Sequence, residues 1–200
     1  MLGLLLDKGT FYQLDKCTQQ TCQLCDHLNG SPFEDDNADL STSALTGQVP
    51  VALSKFGFLK DSIYKFHWLE TVYMCVKYAC FVYHNGRQVC LHAYWALIKR
   101  RHSNAEAYLA ILDHFHSRGW WLRVDCSFGG TFQAYPAAPG ESHAPFVIAL
   151  DSAYDDWLSL VGGDRVASSN KKQLIKVQVA WFERIERYQI SLLQVNRCVV

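Results

Sequence analysis

The sequence predicts a mixed α/β (α+β) protein, in which a small N-terminal helical or mixed domain precedes a domain built on a mixed central sheet. Half of the 200 residues are apolar and 14% are aromatic, which is typical of a chain that buries a core. Apolar side chains recur at helical spacing in two segments before Gly119. Beyond that glycine, short β-like runs separated by glycine and proline take over, so the second half of the chain predicts a sheet.

An acidic segment divides the chain. Residues 29–46 contain Pro32 and four acidic side chains but few large apolar ones, which is typical of a solvated linker. A helix with Ser103 as its capping residue and Glu106 three positions later sets the second boundary. We therefore predict an N-terminal extension with an acidic linker at 1–46, a small α/β domain at 47–102, and a larger domain at 103–200.

Two helices and five strands are predicted from the spacing of the side chains. The first helix starts at Trp68 and the second ends at Gly119, and each has one apolar face. In the fourth strand Ile175 and Lys176 alternate, so they lie on opposite faces of the sheet. The predicted strands are 121–126, 131–135, 145–150, 172–182 and a fifth around 188–192.

The charge balance and the cysteines limit the possible function classes. Basic and acidic residues number 19 each, so nucleic-acid binding would depend on local clusters or on a partner chain. The apolar run Met1–Leu6 is too short for a signal peptide, and no run reaches membrane-spanning length. The eight cysteines are therefore expected to be reduced thiols, in a protein of the nucleus or the cytoplasm.

A set of short motifs follows the second predicted helix. It comprises Gly119-Trp120, Phe128-Gly129, a strand ending in Tyr135, Pro139-Gly140, His143-Ala144, and Arg165-Val166-Ala167 ahead of Lys172. In this order the motifs resemble the catalytic domain of tRNA-splicing endonucleases over residues 103–200. The run from Phe115 to Trp120 most resembles the eukaryotic catalytic subunit that cleaves the 5′ splice site.

The resemblance implies a restriction-endonuclease-like tRNA-intron endonuclease domain with a catalytic triad of Tyr135, His143 and Lys172. Lys172 is preferred to Lys171 because the family lysine lies seven residues after an arginine, which here is Arg165. Taken singly, a tyrosine at a strand end, a histidine in a loop and a paired lysine are more often packing or surface residues. The assignment therefore depends on their ordered occurrence together with the other motifs.

Such a triad cleaves RNA without a metal ion or another cofactor. A 2′-hydroxyl attacks the adjacent phosphorus, which gives a 2′,3′-cyclic phosphate and a 5′-hydroxyl. The resemblance makes Tyr135 the base, although an unperturbed phenol with a pKa of about 10 is a poor base at neutral pH. A nearby ammonium such as Lys172 would favour the phenolate and offset charge on the phosphorane, and His143 would protonate the leaving group.

The resemblance also implies partners. Archaeal family members form homo-oligomers and eukaryotic ones form heterotetramers, so we expect precursor tRNA as the substrate and other endonuclease subunits as partners. Candidate RNA contacts are the basic cluster Lys99, Arg100 and Arg101, together with Arg197 near the C-terminus. The basic cluster is equally compatible with a solvated junction.

Two alternatives remain open from the sequence. The chain could be a non-catalytic structural subunit of the same complex, although such subunits usually lose members of the triad. It could also be an interaction module that binds zinc through Cys17, Cys22, Cys25 and His27. The spacing C-x4-C-x2-C-x-H is not a standard paired arrangement, so we predict no metal site.

Overall fold

The computed structural model describes residues 43–45, 58–60, 63–78, 82–84, 87–89, 91–151, 156–182 and 187–195. The chain forms two units, and the division between them falls after Glu106. The predicted domain boundaries at residues 46 and 102 stay predictions. Among the described helices, none is both long and apolar enough to cross a membrane.

The unit that ends at Glu106 contains short antiparallel strands and two helices in its described part. β3 pairs with both β1 and β2, and β4 pairs with β5 up to His84 opposite Arg87. The predicted turn at Asn85 and Gly86 lies outside the described residues. The elements are β1 (Ser43–Leu45), β2 (Phe58–Lys60), β3 (Ile63–Phe66), α1 (Trp68–Tyr78), β4 (Val82–His84), β5 (Arg87–Val89) and α2 (Leu91–Arg101).

Helix α1 begins at the predicted position and is capped by the residue before it. The backbone N–H of Leu69 donates to Nδ1 of His67 at 3.3 Å. In return, the backbone N–H of His67 donates to Oε2 of Glu70 at 2.9 Å. This reciprocal capping pair satisfies backbone donors that the start of a helix leaves unbonded.

The second unit is built on a five-stranded mixed sheet in the order β10-β9-β8-β7-β6. All five predicted strands are confirmed. Every neighbouring pair is antiparallel except β8 and β9, which are parallel. The elements are α3 (Ala105–His116), β6 (Trp121–Val124), β7 (Phe132–Tyr135), β8 (Phe146–Leu150), α4 (Trp157–Ser169), β9 (Gln173–Phe182) and β10 (Arg187–Gln194).

Helix α3 ends where the sequence predicts but begins differently. Its last turn is closed by hydrogen bonds from Trp120 to the Phe115 carbonyl and from Gly119 to the His116 carbonyl. Gly119 has a φ of +83°, which is the left-handed conformation that this helix ending requires. The first residue of the helix is Ala105, two positions after the predicted cap Ser103.

Helix α4 is the crossover between the parallel strands β8 and β9, and it was not predicted. A parallel pair needs a long connection, and a helix is the usual one. Its N-terminus is capped by Asp156, whose Oδ1 accepts from the backbone N–H of Ser159 at 2.7 Å.

The central strands of the sheet are covered on both faces. On one face Tyr108 of α3 contacts Phe132 edge-on, with ring centroids 5.9 Å apart. On the other face Val147 and Leu174 pack with Ala167 of α4. This second face is the one on which the candidate site lies.

Lys176 shows the consequence of the unpredicted helix. It lies on the opposite face from Ile175, as alternation requires, but it is only 8% exposed. Its neighbour on that face, Leu174, is 1% exposed because α4 packs there. The predicted polar face of β9 is therefore buried at Lys176, whereas Gln178 further along the strand is exposed.

Candidate active site

Tyr135 and Lys172 lie at the same end of the sheet. Across the three central strands, Ala134 of β7 is opposite Phe146 of β8, which is opposite Gln173 of β9. Tyr135 follows the first residue of this row, and Lys172 precedes the last. Their backbones are thus two strand spacings apart, which is about 10 Å. This distance can be spanned by the two side chains and a phosphate group between them.

The turn after α4 directs Lys172 to the site. Lys171 has a φ of +56°, and its N–H donates to the Ser168 carbonyl at 3.0 Å. The N–H of Lys172 donates to the Ala167 carbonyl at 2.9 Å. These two bonds form the helix ending that usually contains glycine at the left-handed position. As a result Lys171 is exposed, whereas Lys172 is half-buried at the start of β9.

The ammonium of Lys172 has two close neighbours. Its Nζ donates a 2.8 Å hydrogen bond to the carbonyl oxygen of Ala144. It also lies 5.1 Å from the centre of the Phe128 ring, within the range of a cation–π contact. Phe128 packs against the apolar layer under α4. Lys172 is therefore held between the loop that carries His143 and the loop before β7.

His143 is exposed in the loop that joins β7 to β8. That loop contains a turn in which the N–H of Glu141 donates to the Ala138 carbonyl at 2.9 Å. Pro139 and Gly140 occupy its central positions, and Gly140 has a φ of +100°, as a type II turn requires. The residue after His143 is Ala144, so the lysine bond fixes the chain next to the histidine.

A hydrogen-bond relay runs from the hydroxyl of Tyr135 through the amide of Gln133 to the carboxylate of Asp125. The hydroxyl donates to Oε1 of Gln133 at 3.4 Å. The amide nitrogen of Gln133 donates to Oδ2 of Asp125. The other oxygen of Asp125 accepts from the backbone N–H of Ser127 at 2.8 Å. Tyr135 is half-buried and Gln133 is buried, so the relay runs inward from the candidate site.

Burial, hydrogen bonds and nearby charges shift the pKa values of two groups in the relay, Tyr135 and Asp125. Burial raises the pKa of the Tyr135 phenol, the charge of Arg123 lowers it and that of Asp125 raises it, and the net direction is upward. Burial raises the pKa of Asp125, but hydrogen bonds from Ser127 and Gln133 and the charge of Lys172 together lower it. The charge of Lys172 thus acts on Asp125, and the charge of Arg123 favours the phenolate of Tyr135.

Three residues of this site were not identified from the sequence: Arg123, Asp125 and Gln133. A sequence signal was present only for Gln133, because it lies two positions before Tyr135 and so shares its face of β7. Arg123 is the cross-strand partner of Gln133. Asp125 lies two residues after Arg123. Its backbone N–H donates to the Thr131 carbonyl, which extends the pairing of β6 with β7.

A pair of glycines brings the loop before β7 close to the sheet. A Cβ on Gly130 would lie 2.3 Å from Cγ1 of Val147 and 2.7 Å from the carbonyl oxygen of Ile148. Gly129 has a φ of +77°, and its Cβ would lie 3.2 Å from Cα of Gly163 in α4. This close approach positions Phe128 against Lys172.

The predicted RNA contacts are placed only in part. Lys99, Arg100 and Arg101 form the last turn of α2, where positive charge is favourable to the helix dipole. Lys99 lies 3.7 Å from Glu106 and 5.9 Å from the centre of the Trp95 ring. Their role in RNA binding stays a prediction, and Arg197 lies outside the described residues.

No cluster of three or more potential metal ligands occurs among the residues that the structure describes. The motif formed by Cys17, Cys22, Cys25 and His27 lies outside them. Within the described part, the thiol of Cys75 is buried and that of Cys126 is exposed.

The second unit is thus a mixed α+β domain in which a tyrosine and a lysine meet a histidine-bearing loop at one end of a five-stranded sheet. Residues 106–185 match the tRNA intron endonuclease family in its catalytic C-terminal domain. The match supports this family for that part of the chain, and with it an endonuclease function in tRNA splicing. A tRNA substrate and an oligomeric complex are implied in general terms. A search of the curated proteins finds no significant match.

Proposed function

We propose that the chain is the catalytic subunit of a tRNA-splicing endonuclease that cleaves precursor tRNA at an exon–intron junction, the 5′ splice site. The cleavage is metal-independent attack by a 2′-hydroxyl, which leaves a 2′,3′-cyclic phosphate and a 5′-hydroxyl. The observation that carries the proposal is the hydrogen bond from Lys172 to Ala144 at the end of the sheet where Tyr135 completes β7.

In this mechanism each residue has one task. Tyr135 takes the proton of the attacking 2′-hydroxyl, and His143 donates a proton to the departing 5′-oxygen. Lys172 offsets the negative charge that develops on the phosphorane oxygens. The exposure of His143 is compatible with a residue that meets a large RNA substrate. The charge of Arg123 also favours ionisation of Tyr135.

The proposed enzyme acts in the nucleus or the cytoplasm as part of a heteromeric complex, and the isolated chain has weak or no activity. The balanced charge of 19 basic and 19 acidic residues supports a need for partner subunits in RNA binding. The resemblance of the run from Phe115 to Trp120 supports the subunit that acts at the 5′ splice site.

The test is cleavage of an intron-containing precursor tRNA in EDTA, by the chain alone and with candidate partner subunits. The wild type is compared with His143→Ala and Tyr135→Phe. Cleavage that leaves a cyclic phosphate and is lost in both variants supports the proposal. Ends that carry a 3′-hydroxyl, or cleavage that requires a divalent metal ion, would contradict it.

The second candidate is a structural subunit that supports a catalyst elsewhere in the complex. Its supporting observation is the raised pKa of Tyr135, because a protonated phenol is a poor base. An assembly that cuts at an unchanged rate when it contains His143→Ala and Tyr135→Phe would favour this candidate.

A further inference from the structure

In the relay, Tyr135 donates to Gln133 and Gln133 donates to Asp125. Asp125 sets this direction of donation. The carboxylate of Asp125 can only accept hydrogen bonds, so the amide nitrogen of Gln133 must face it. The Oε1 atom of Gln133 then faces Tyr135, and the phenol donates to it at 3.4 Å. The Asp125 carboxylate thus determines which way the Gln133 amide points. It also determines that the Tyr135 hydroxyl is the donor in its hydrogen bond to Gln133.

We propose that Asp125, acting through Gln133, holds the Tyr135 hydroxyl as a hydrogen-bond donor and so orients it and keeps it protonated in the unliganded domain. Asp125 and Gln133 are positioning residues, because they act on Tyr135 and not on the RNA. The inference rests on the proposed function for the role of Tyr135 as the base. The direction of the relay itself is a property of the folded domain.

Burial makes the relay rigid. Gln133 is 6% exposed, so turning its amide over would leave its carbonyl oxygen facing the Asp125 carboxylate, two buried acceptors with no hydrogen between them. Both oxygens of Asp125 are occupied, Oδ1 by the backbone N–H of Ser127 and Oδ2 by Gln133. The carboxylate therefore has a fixed orientation, which the glutamine transmits to Tyr135.

Several charged groups surround the relay. Arg123, the cross-strand partner of Gln133, opposes it by favouring the phenolate. Lys172 acts on Asp125 from the start of β9, and His143 lies in the loop after β7. Two further charged side chains, Asp164 of α4 and Lys176 of β9, are buried. Asp125 is joined to Tyr135 by hydrogen bonds through Gln133.

The substitution Asp125→Asn would reverse the relay. The new side chain keeps an oxygen for the N–H of Ser127 but presents an amide donor toward Gln133. Gln133 then has to turn its oxygen toward position 125 and its nitrogen toward Tyr135. A donor facing the phenol oxygen favours the phenolate, and the loss of the carboxylate charge acts in the same direction.

The experiment follows the ionisation of Tyr135 in the full chain. Tyrosine is labelled with ¹³C at Cζ, the Tyr135 signal is assigned with Tyr135→Phe, and its pH titration is recorded by NMR. Wild type, Asp125→Asn, Gln133→Met and the double variant form a cycle, because methionine has a similar length but cannot continue the relay. We expect Asp125→Asn to move the titration to lower pH, and by more when Gln133 is present than when it is methionine.

Equal shifts in the two backgrounds would overturn the proposal, because Asp125 would then act only through space. An unchanged titration in Asp125→Asn would overturn it as well. If that variant does not fold, Gln133→Met alone tests the relay. Removing the acceptor of the Tyr135 hydroxyl should move the titration of Tyr135 to lower pH. An unchanged titration midpoint would contradict the relay. Wild-type cleavage of precursor tRNA is measured separately, so failure of the proposed function is distinguished from failure of the relay.

Discussion

The ammonium of Lys172 donates a 2.8 Å hydrogen bond to the carbonyl of Ala144, the residue that follows His143. The bond joins the start of β9 to the loop between β7 and β8. Because the bond leaves two of the three ammonium protons available, Lys172 can still meet a phosphate oxygen. The lysine thus both fixes the loop and presents positive charge at the end of the sheet.

This arrangement predicts different effects at two adjacent lysines. In the reconstituted complex, Lys172→Ala should lower kcat for precursor tRNA by about 100-fold, the usual effect of removing one group that stabilises transition-state charge. Lys171→Ala is the matched control, because Lys171 is exposed at the end of α4 and should leave kcat nearly unchanged. Equal losses in the two variants would argue against the assignment of Lys172.

The glycines before β7 predict a difference in stability. Gly130→Ala should lower the free energy of unfolding by about 1–3 kcal/mol, because its Cβ would overlap Val147 and the Ile148 carbonyl. Gly162→Ala is the control. A Cβ there meets no atom within 4 Å, and alanine favours a helix, so stability should rise by about 0.5–1 kcal/mol.

Urea unfolding followed by circular dichroism measures both changes. Gly130→Ala with wild-type stability would mean that the loop before β7 is not held against β8. In that case the contact between Phe128 and Lys172 would also lose its support.

The five strands of the second unit were predictable from the sequence, whereas α4 and the short strands β1 to β5 were not. Each strand of the five-stranded sheet is an apolar or alternating run, so its local pattern is sufficient. Helix α4 contains Gly162 and Gly163, which disfavour helices by roughly 1 kcal/mol each relative to alanine. Gly163 lies where α4 packs on the sheet, since a Cβ there would meet Cδ2 of Leu174 at 3.4 Å and the carbonyl oxygen of Gly129 at 3.6 Å. A tertiary contact thus obscured the local helix signal.

The site was predictable only where it follows sequence order. Motif order identifies Tyr135, His143 and Lys172 as candidates, and those assignments stay predictions. Asp125 and Gln133 act through the register of β6 against β7 and through side-chain hydrogen bonds. Neither property can be derived from one sequence, because shifting the register by one residue moves every side chain to the other face.

The left-handed conformation of Lys171 predicts a stabilising substitution. A residue with a Cβ is strained at a φ of +56°, and glycine is the usual residue at this position of a helix ending. Lys171→Gly should therefore raise the free energy of unfolding by about 1 kcal/mol. Lys171→Ala keeps the Cβ and should give no such gain. Thermal unfolding of both variants tests the strain, and an equal effect of the two would contradict it.

The cap of α1 predicts a pH dependence of stability. Burial and the nearby His102 lower the pKa of His67 from 6.5 to about 4. A protonated ring could not accept the hydrogen bond from Leu69 at Nδ1. Between pH 6.5 and about 4 the unfolded chain binds a proton that the folded chain does not, so this group's contribution to stability falls as the pH decreases.

The variant His67→Asn tests this cap, because asparagine can accept the bond from Leu69 but does not titrate. The free energy of unfolding is measured in urea at intervals from pH 7 to pH 4.5 for the variant and the wild type. The variant should lose less stability over this range, so the difference between the two proteins should change steadily in its favour as the pH falls. A difference that stays constant with pH would show that His67 does not titrate differently in the folded and unfolded states.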